Sequence, residues 1–159
     1  MGKLIAVSGT PGVGKSTLAK YLAKKLKFFR LDLHHYYKEI SKGYDLKKHC
    51  YDVNLQKFKK IVLNLKKEQN IILDSHISHL LPKKEVDLCI IITCSNLKKL
   101  EKRLKKRGYS KQKIRENLDA EIFQVCLMEA KERKQKMIVI DSSSKYNKDM
   151  LLHKIHKSL

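Results

Sequence analysis

The apolar residues change period along the chain, switching between short unbroken runs and stretches with helical spacing. Leu4-Ile5-Ala6-Val7 lies in an apolar run, Lys3 to Ser8, that ends at a glycine-rich segment and predicts a buried parallel strand. Leu18, Leu22 and Leu26 then recur every fourth residue, with Ala19 and Ala23 beside them, which places one apolar face on a helix from Lys15 to Leu26. Phe28 to Leu31 predicts a second strand, Asp32 to Ser41 a helix, and Gly43-Tyr44-Asp45 a turn. Leu55, Phe58, Val62 and Leu65 define another amphipathic helix, with Asn54 as its cap.

The alternation continues to the end of the chain. Asn70 to Asp74 predicts a strand, and Val86 to Thr93, the most apolar run, is expected at the centre of the sheet. Leu97 to Arg107 is a basic helix interrupted by Gly108-Tyr109, and Ser110 caps a long helix reaching to about Lys134. Met137 to Ile140 is a last strand, and a terminal helix follows a polar turn from about Asn147. Five strands separated by helices imply an α/β fold: a three-layer, five-stranded parallel sheet flanked by helices. No repeat, low-complexity tract or linker divides residues 1–159, so one domain is expected.

The first turn carries chemistry. Gly9-Thr10-Pro11-Gly12-Val13-Gly14-Lys15-Ser16 matches G-x-x-x-x-G-K-[ST], and Thr17 follows. Glycines let the backbone approach phosphate oxygens, and the amide-rich start of the next helix favours negative charge. Lys15 is placed to reach the β- and γ-phosphates of ATP, and Ser16 to ligate Mg2+. A strand that ends in a carboxylate, Ile71-Ile72-Leu73-Asp74, supplies a second group for magnesium or its waters. After it, His76 or His79 could orient a water or bond a phosphate, although either also reads as an ordinary polar loop residue. Arg103 and Arg107 stand at i and i+4 on one helix face and can clamp a triphosphate, with Gly108 as a lid pivot. The plain alternative for that run is a solvated basic helix.

Composition adds a partner question. The chain carries 36 Lys and Arg against 16 Asp and Glu, a formal net charge of +20, and heat adaptation would raise Glu together with Lys. A polyanionic partner such as RNA or a ribonucleoprotein is therefore expected. Cys50, Cys89, Cys94 and Cys126 form no C-x-x-C pair and no zinc spacing, so reduced thiols are expected. No apolar run is long enough for a signal peptide or a membrane span, and Ala6 spoils a myristoylation signal at Gly2. The expectation is a soluble, intracellular, cytoplasmic monomer.

With these residues in place, the sequence resembles a known family. The loop from Gly9 to Thr17 is typical of nucleoside monophosphate kinases of the adenylate kinase type. The block from Arg107 through Asn117 to Glu121-Ile122-Phe123-Gln124-Val125, together with Gly43-Tyr44-Asp45 and Asp74-x-His76, is similar to the adenylate kinase isoenzyme six family. The resemblance extends from Met1 to about Val139. It implies a P-loop kinase core with a monophosphate-binding segment at about 32–68 and a lid at about 103–117. It further implies Mg2+-dependent transfer from ATP to AMP or another nucleoside monophosphate, ATP hydrolysis, and a part in small ribosomal subunit maturation. The implied partners are a small-subunit ribosomal protein and pre-ribosomal RNA. Lys15 and Ser16 match the family's nucleotide loop, Asp74 and His76 its D-x-H pair, and Arg103 and Arg107 its lid arginines.

One departure stands out. Such kinases usually carry an arginine after the second strand, whereas Asp32-Leu-His-His-Tyr-Tyr-Lys-Glu39 has none. Lys38 or His35 could substitute, but neither offers a two-pronged fork for phosphate. Two other functions stay open on sequence: a ribosome-assembly ATPase with little kinase activity, and a basic RNA-binding module with a vestigial P-loop.

Overall fold

The computed structural model describes residues 1–46 and 50–159. β1 (Leu4–Ser8) leads into α1 (Lys15–Leu26), followed by β2 (Phe29–Asp32), a 3-10 turn over Leu33–Tyr36 and the single-turn α2 (Tyr37–Ile40). β3 (Ser41–Asp45) and β4 (Cys50–Val53) form an antiparallel pair apart from the main sheet. Then come α3 (Leu55–Glu68), β5 (Ile71–Asp74), β6 (Leu88–Thr93), α4 (Leu97–Lys106), α5 (Lys111–Ile122), α6 (Val125–Glu132), β7 (Met137–Asp141) and α7 (Lys148–Ser158).

The main sheet has five parallel strands in the order β2-β5-β1-β6-β7. β1, not β6, is central. The apolarity of the 86–93 run does not distinguish the two, because β1, β5 and β6 are all interior strands whose residues are buried on both faces. Alternate residues of these strands feed two cores. Ile5, Val7, Ile72, Ile90 and Ile92 pack with Leu18 and Leu22 of α1, Leu100 and Leu104 of α4, and Ile155 of α7. Leu4, Ala6, Leu73 and Ile91 pack on the other side with Phe58 and Val62 of α3 and Leu127 of α6. The three-layer reading therefore holds.

Three further sequence expectations need correction. Gly43-Tyr44-Asp45 is not a turn but part of β3. Its register with β4 shifts between Ser41 and Gly43, and Gly43 takes φ +138° there, so the glycine serves a bulge. The 32–41 segment is not one helix: Asp32 caps the 3-10 turn through the His34 amide at 3.1 Å, and only 37–40 is α-helical. The long helix from Ser110 breaks at Gln124, which is left-handed with φ +50°. The break is explained by packing: Ile114 of α5 belongs to the core under α1, whereas Leu127 of α6 belongs to the opposite core.

Candidate functional site

β1 and β6 run side by side and in parallel, so their C-terminal ends lie at the same edge, and the P-loop leaves the sheet there. A Cβ on Gly9 would stand 2.4 Å from the Ile92 carbonyl oxygen, which excludes any larger residue at this turn. Gly14, left-handed at φ +104°, caps α1 without a side-chain hydrogen bond, and the first turn of α1 holds no acid. Those first amides need an external acceptor, and an oxyanion suits both them and the helix dipole.

Lys15 Nζ donates to the Thr10 carbonyl at 3.1 Å. Burial pushes its ammonium down from 10.5 to about 8, against the opposing pull of Asp74 and Glu121. Asp74 closes β5 and is 3% exposed. Its Oδ2 accepts from Arg30 Nε at 3.0 Å and from Arg30 Nη2 at 2.7 Å, and the same Nη2 reaches Asp32 Oδ2 at 2.7 Å. Arg30 has no motif to mark it; its one sequence signal is a charged residue two positions before Asp32 in a short apolar run, and the pairing of β2 with β5 is what brings it to Asp74. Ser16 and Asp74 offer a hydroxyl and a carboxylate, hard oxygen donors that fit Mg2+.

Arg103 lies on α4 and Arg107 at its C-cap, four residues on. Arg103 Nη1 donates to the Gly12 carbonyl at 3.2 Å. Both arginines line a cavity of about 770 Å³ with Gly12, Gly14, Thr17 and Lys99. The far wall is the polar loop after β7, through Ser142, Ser144 and Tyr146. Asp141 pins this loop by accepting from the Ser95 amide at 3.1 Å and the Ser143 amide at 2.9 Å. Burial opposes ionisation of Asp141, but the bonds from Ser143 and Ser95 prevail and hold its carboxyl well below the usual range. The sequence showed this loop only as a polar turn.

A second cavity, of about 640 Å³, opens on the other side of the P-loop, lined by Thr10 and Pro11. His76 lies in its wall. Burial, reinforced by the positive charge of Lys15, drives its imidazole down to about 4, so it is neutral at physiological pH. From the 32–39 segment, His34 and Tyr37 line this cavity, while Lys38 and His35 are not among its lining residues. His79 also borders it, but its ring is held at both ends, 2.6 Å from Ser8 Oγ and 2.6 Å from Glu129 Oε2. Glu129 requires a proton on Nε2, which leaves Nδ1 to accept from Ser8. His79 thus braces β1 against α6.

Comparison with known proteins follows the same lines. Residues 5–124 match the family model described as AAA domain. A Pyrococcus furiosus protein provisionally named adenylate kinase is 39% identical over 142 residues, covering 89% of this chain and 76% of its own. The adenylate kinase isoenzyme 6 homolog FAP7 of Saccharomyces cerevisiae is 35% identical over 153 residues, covering 94% of this chain and 77% of its own. The chain belongs to the adenylate kinase isoenzyme 6 family. Solved structures share the fold. Deoxyadenosine kinase from M. mycoides with bound dATP superposes with a TM-score of 0.58 at 19% identity, over 97% of this chain and 99% of that one. A Chloroflexus aurantiacus protein provisionally assigned as a kinase gives 0.63 at 15% identity, over 99% and 98%. In this chain the block from Arg107 to Val125 runs from the C-cap of α4 through Gly108 and α5 to the start of α6. Among the described residues, no helix is long and apolar enough to cross a membrane.

Proposed function

We propose that the protein transfers the γ-phosphoryl group of ATP to AMP or a related nucleoside monophosphate. The observation that carries this reading is the pair of cavities, about 770 and 640 Å³, that flank one P-loop. A hydrolase needs room for one nucleotide, whereas a nucleotide phosphotransferase needs two sites facing each other across the reacting phosphate. The first cavity is the donor site: the residue 9–17 loop cradles the phosphates, and Arg103, Arg107 and Lys15 neutralise charge as the γ-phosphoryl moves. The second is the acceptor site, whose wall includes His34 and Tyr37. Residues 32–68 and 103–117 are the monophosphate-binding and lid segments of a single domain. Ser16 and Asp74 would hold Mg2+, which supplies charge neutralisation at the phosphates. Arg30 orients Asp74 through bonds that fall on one carboxylate oxygen.

ATP hydrolysis is the second activity of the same site. His76, neutral and in the acceptor cavity, is suited to accept a hydrogen bond from a water that takes the place of AMP. The missing arginine in residues 32–39 favours a weak hold on the acceptor phosphate and hence leakage to water. The net charge of +20 supports action on a ribosomal particle in small-subunit maturation, with pre-ribosomal RNA and a small-subunit protein as partners. That setting places the protein in the cytoplasm.

Turnover of ATP measured with and without AMP tests this reading. AMP-dependent formation of two ADP per ATP is expected. Hydrolysis unaffected by AMP would leave only the ATPase, and salt-insensitive failure to retain ribosomal RNA would remove the ribosomal setting.

A further inference from the structure

Thr10 is held at two points. Its carbonyl accepts Lys15 Nζ at 3.1 Å, and its hydroxyl donates to Glu121 Oε2 at 2.6 Å. The other carboxylate oxygen, Glu121 Oε1, accepts the Cys94 amide at 2.6 Å, one residue past β6. Glu121 lies on α5, far from the P-loop in sequence, and is 7% exposed. A carboxylate is costly to bury unless its oxygens are satisfied, and here each oxygen has a separate donor. One donor belongs to the phosphate loop and the other to the end of the neighbouring strand. Glu121 itself lines neither cavity, although Thr10 and Ala120 line the second.

We propose that Glu121 is a positioning residue that fixes the first half of the P-loop to the end of β6 through Thr10 and so sets where Lys15 stands. This inference rests on the donor-site reading above. Glu121 lines neither cavity and holds the P-loop through the Thr10 hydroxyl, while its carboxylate also favours the charge on Lys15. Lys15 is hydrogen-bonded to the Thr10 carbonyl, and an arriving triphosphate takes over that bond from a loop already held in shape. The tie also joins the lid block to the phosphate loop, because α5 begins just after the Gly108 pivot and ends at the residue after Glu121.

The test uses Glu121→Gln, which keeps the side chain's shape and an acceptor for the Cys94 amide, and Thr10→Val, which removes only the hydroxyl bond. kcat and KM for ATP are measured for each and for the double variant, with amide chemical shifts of residues 9–15 recorded in the free protein. Each single change is expected to lower kcat about tenfold, the loss expected for one charge-assisted hydrogen bond acting on transition-state geometry, with KM for ATP changed less than kcat. The double variant should be no slower than the worse single one, because both changes act on the same contact: Glu121→Gln replaces its charged acceptor with a neutral amide, and Thr10→Val removes the hydroxyl. The P-loop amides of Glu121→Gln should shift. The proposal is overturned if the two losses multiply, or if those amides keep their wild-type positions, including the case where only the melting temperature falls. If Lys15→Met retains full turnover, the donor-site reading fails instead, and the amide shifts alone decide the tie.

Discussion

Replacing Lys15 with methionine is expected to stabilise the nucleotide-free protein while abolishing ATP turnover. Methionine keeps an unbranched stem of similar length without the charge. Burial lowers the Lys15 ammonium from 10.5 to about 8. A tenfold change in proton affinity is worth about 1.4 kcal/mol, so keeping this lysine charged at pH 7 costs the fold up to about 3 kcal/mol. Residual contact with water at the mouth of the loop reduces the net gain on substitution to about 1–3 kcal/mol, or roughly 3–10 °C in melting temperature for a chain of this size. The sign also fixes the pH dependence. The unfolded lysine holds its proton up to 10.5, the folded one loses it near 8, and the unfolded state therefore binds more protons between those values. Wild type gains stability on the variant as pH rises through that window, and the variant's advantage fades by its upper end. Calorimetric melts at pH 7 and pH 10, with and without ATP, read all of this. ATP should raise the wild-type melting temperature and leave the variant where it is. A variant that melts below wild type at pH 7, or a gap that widens with pH, would refute the reasoning.

Phe58→Ala opens a cavity under β5 where the ring is 1% exposed, and should cost about 3–5 kcal/mol, read by urea unfolding. Arg30→Met leaves Asp74 and Asp32 without their shared guanidinium and should destabilise the protein by about 2–4 kcal/mol, with a larger loss in kcat than in ATP affinity if Asp74 serves the metal. His76→Gln should flatten the acid side of the stability profile. The unfolded imidazole takes up a proton near 6.5 and the folded one only near 4, so wild type loses up to about 3 kcal/mol as pH falls through that window, and the variant does not.

The parts of the fold written in local sequence were legible. Leu18, Leu22 and Leu26 announced α1, and each of the five parallel strands appeared as an apolar run within one or two residues of its observed bounds. What was not legible depends on contacts between distant segments. The centre of the sheet went to β1 because strand order is a tertiary property, invisible in how apolar a run is. The break at Gln124 was missed because both flanking stretches favour helix. Only the need to bury Ile114 and Leu127 in different cores separates them. The site shows the same division. Lys15, Asp74, His76, Arg103 and Arg107 were marked by motif and spacing, and the last two do line one cavity with the P-loop. Arg30 and Glu121 escaped because their meaning lies in partners far away in sequence.

The cation-lined cavity also bears on kinetics. Lys99, Arg103, Lys106, Arg107, Lys145 and Lys148 all line it, and among the described residues no Asp or Glu does. Such a funnel speeds the encounter with a polyanionic nucleotide, but it retains the polyanionic product by the same field. On the proposed phosphotransfer, the departure of ADP, not bond-making, should then set the pace of each cycle at low ionic strength. Added salt shortens the reach of the field to about 10 Å or less and releases that brake before it weakens capture, so turnover should peak at an intermediate salt concentration.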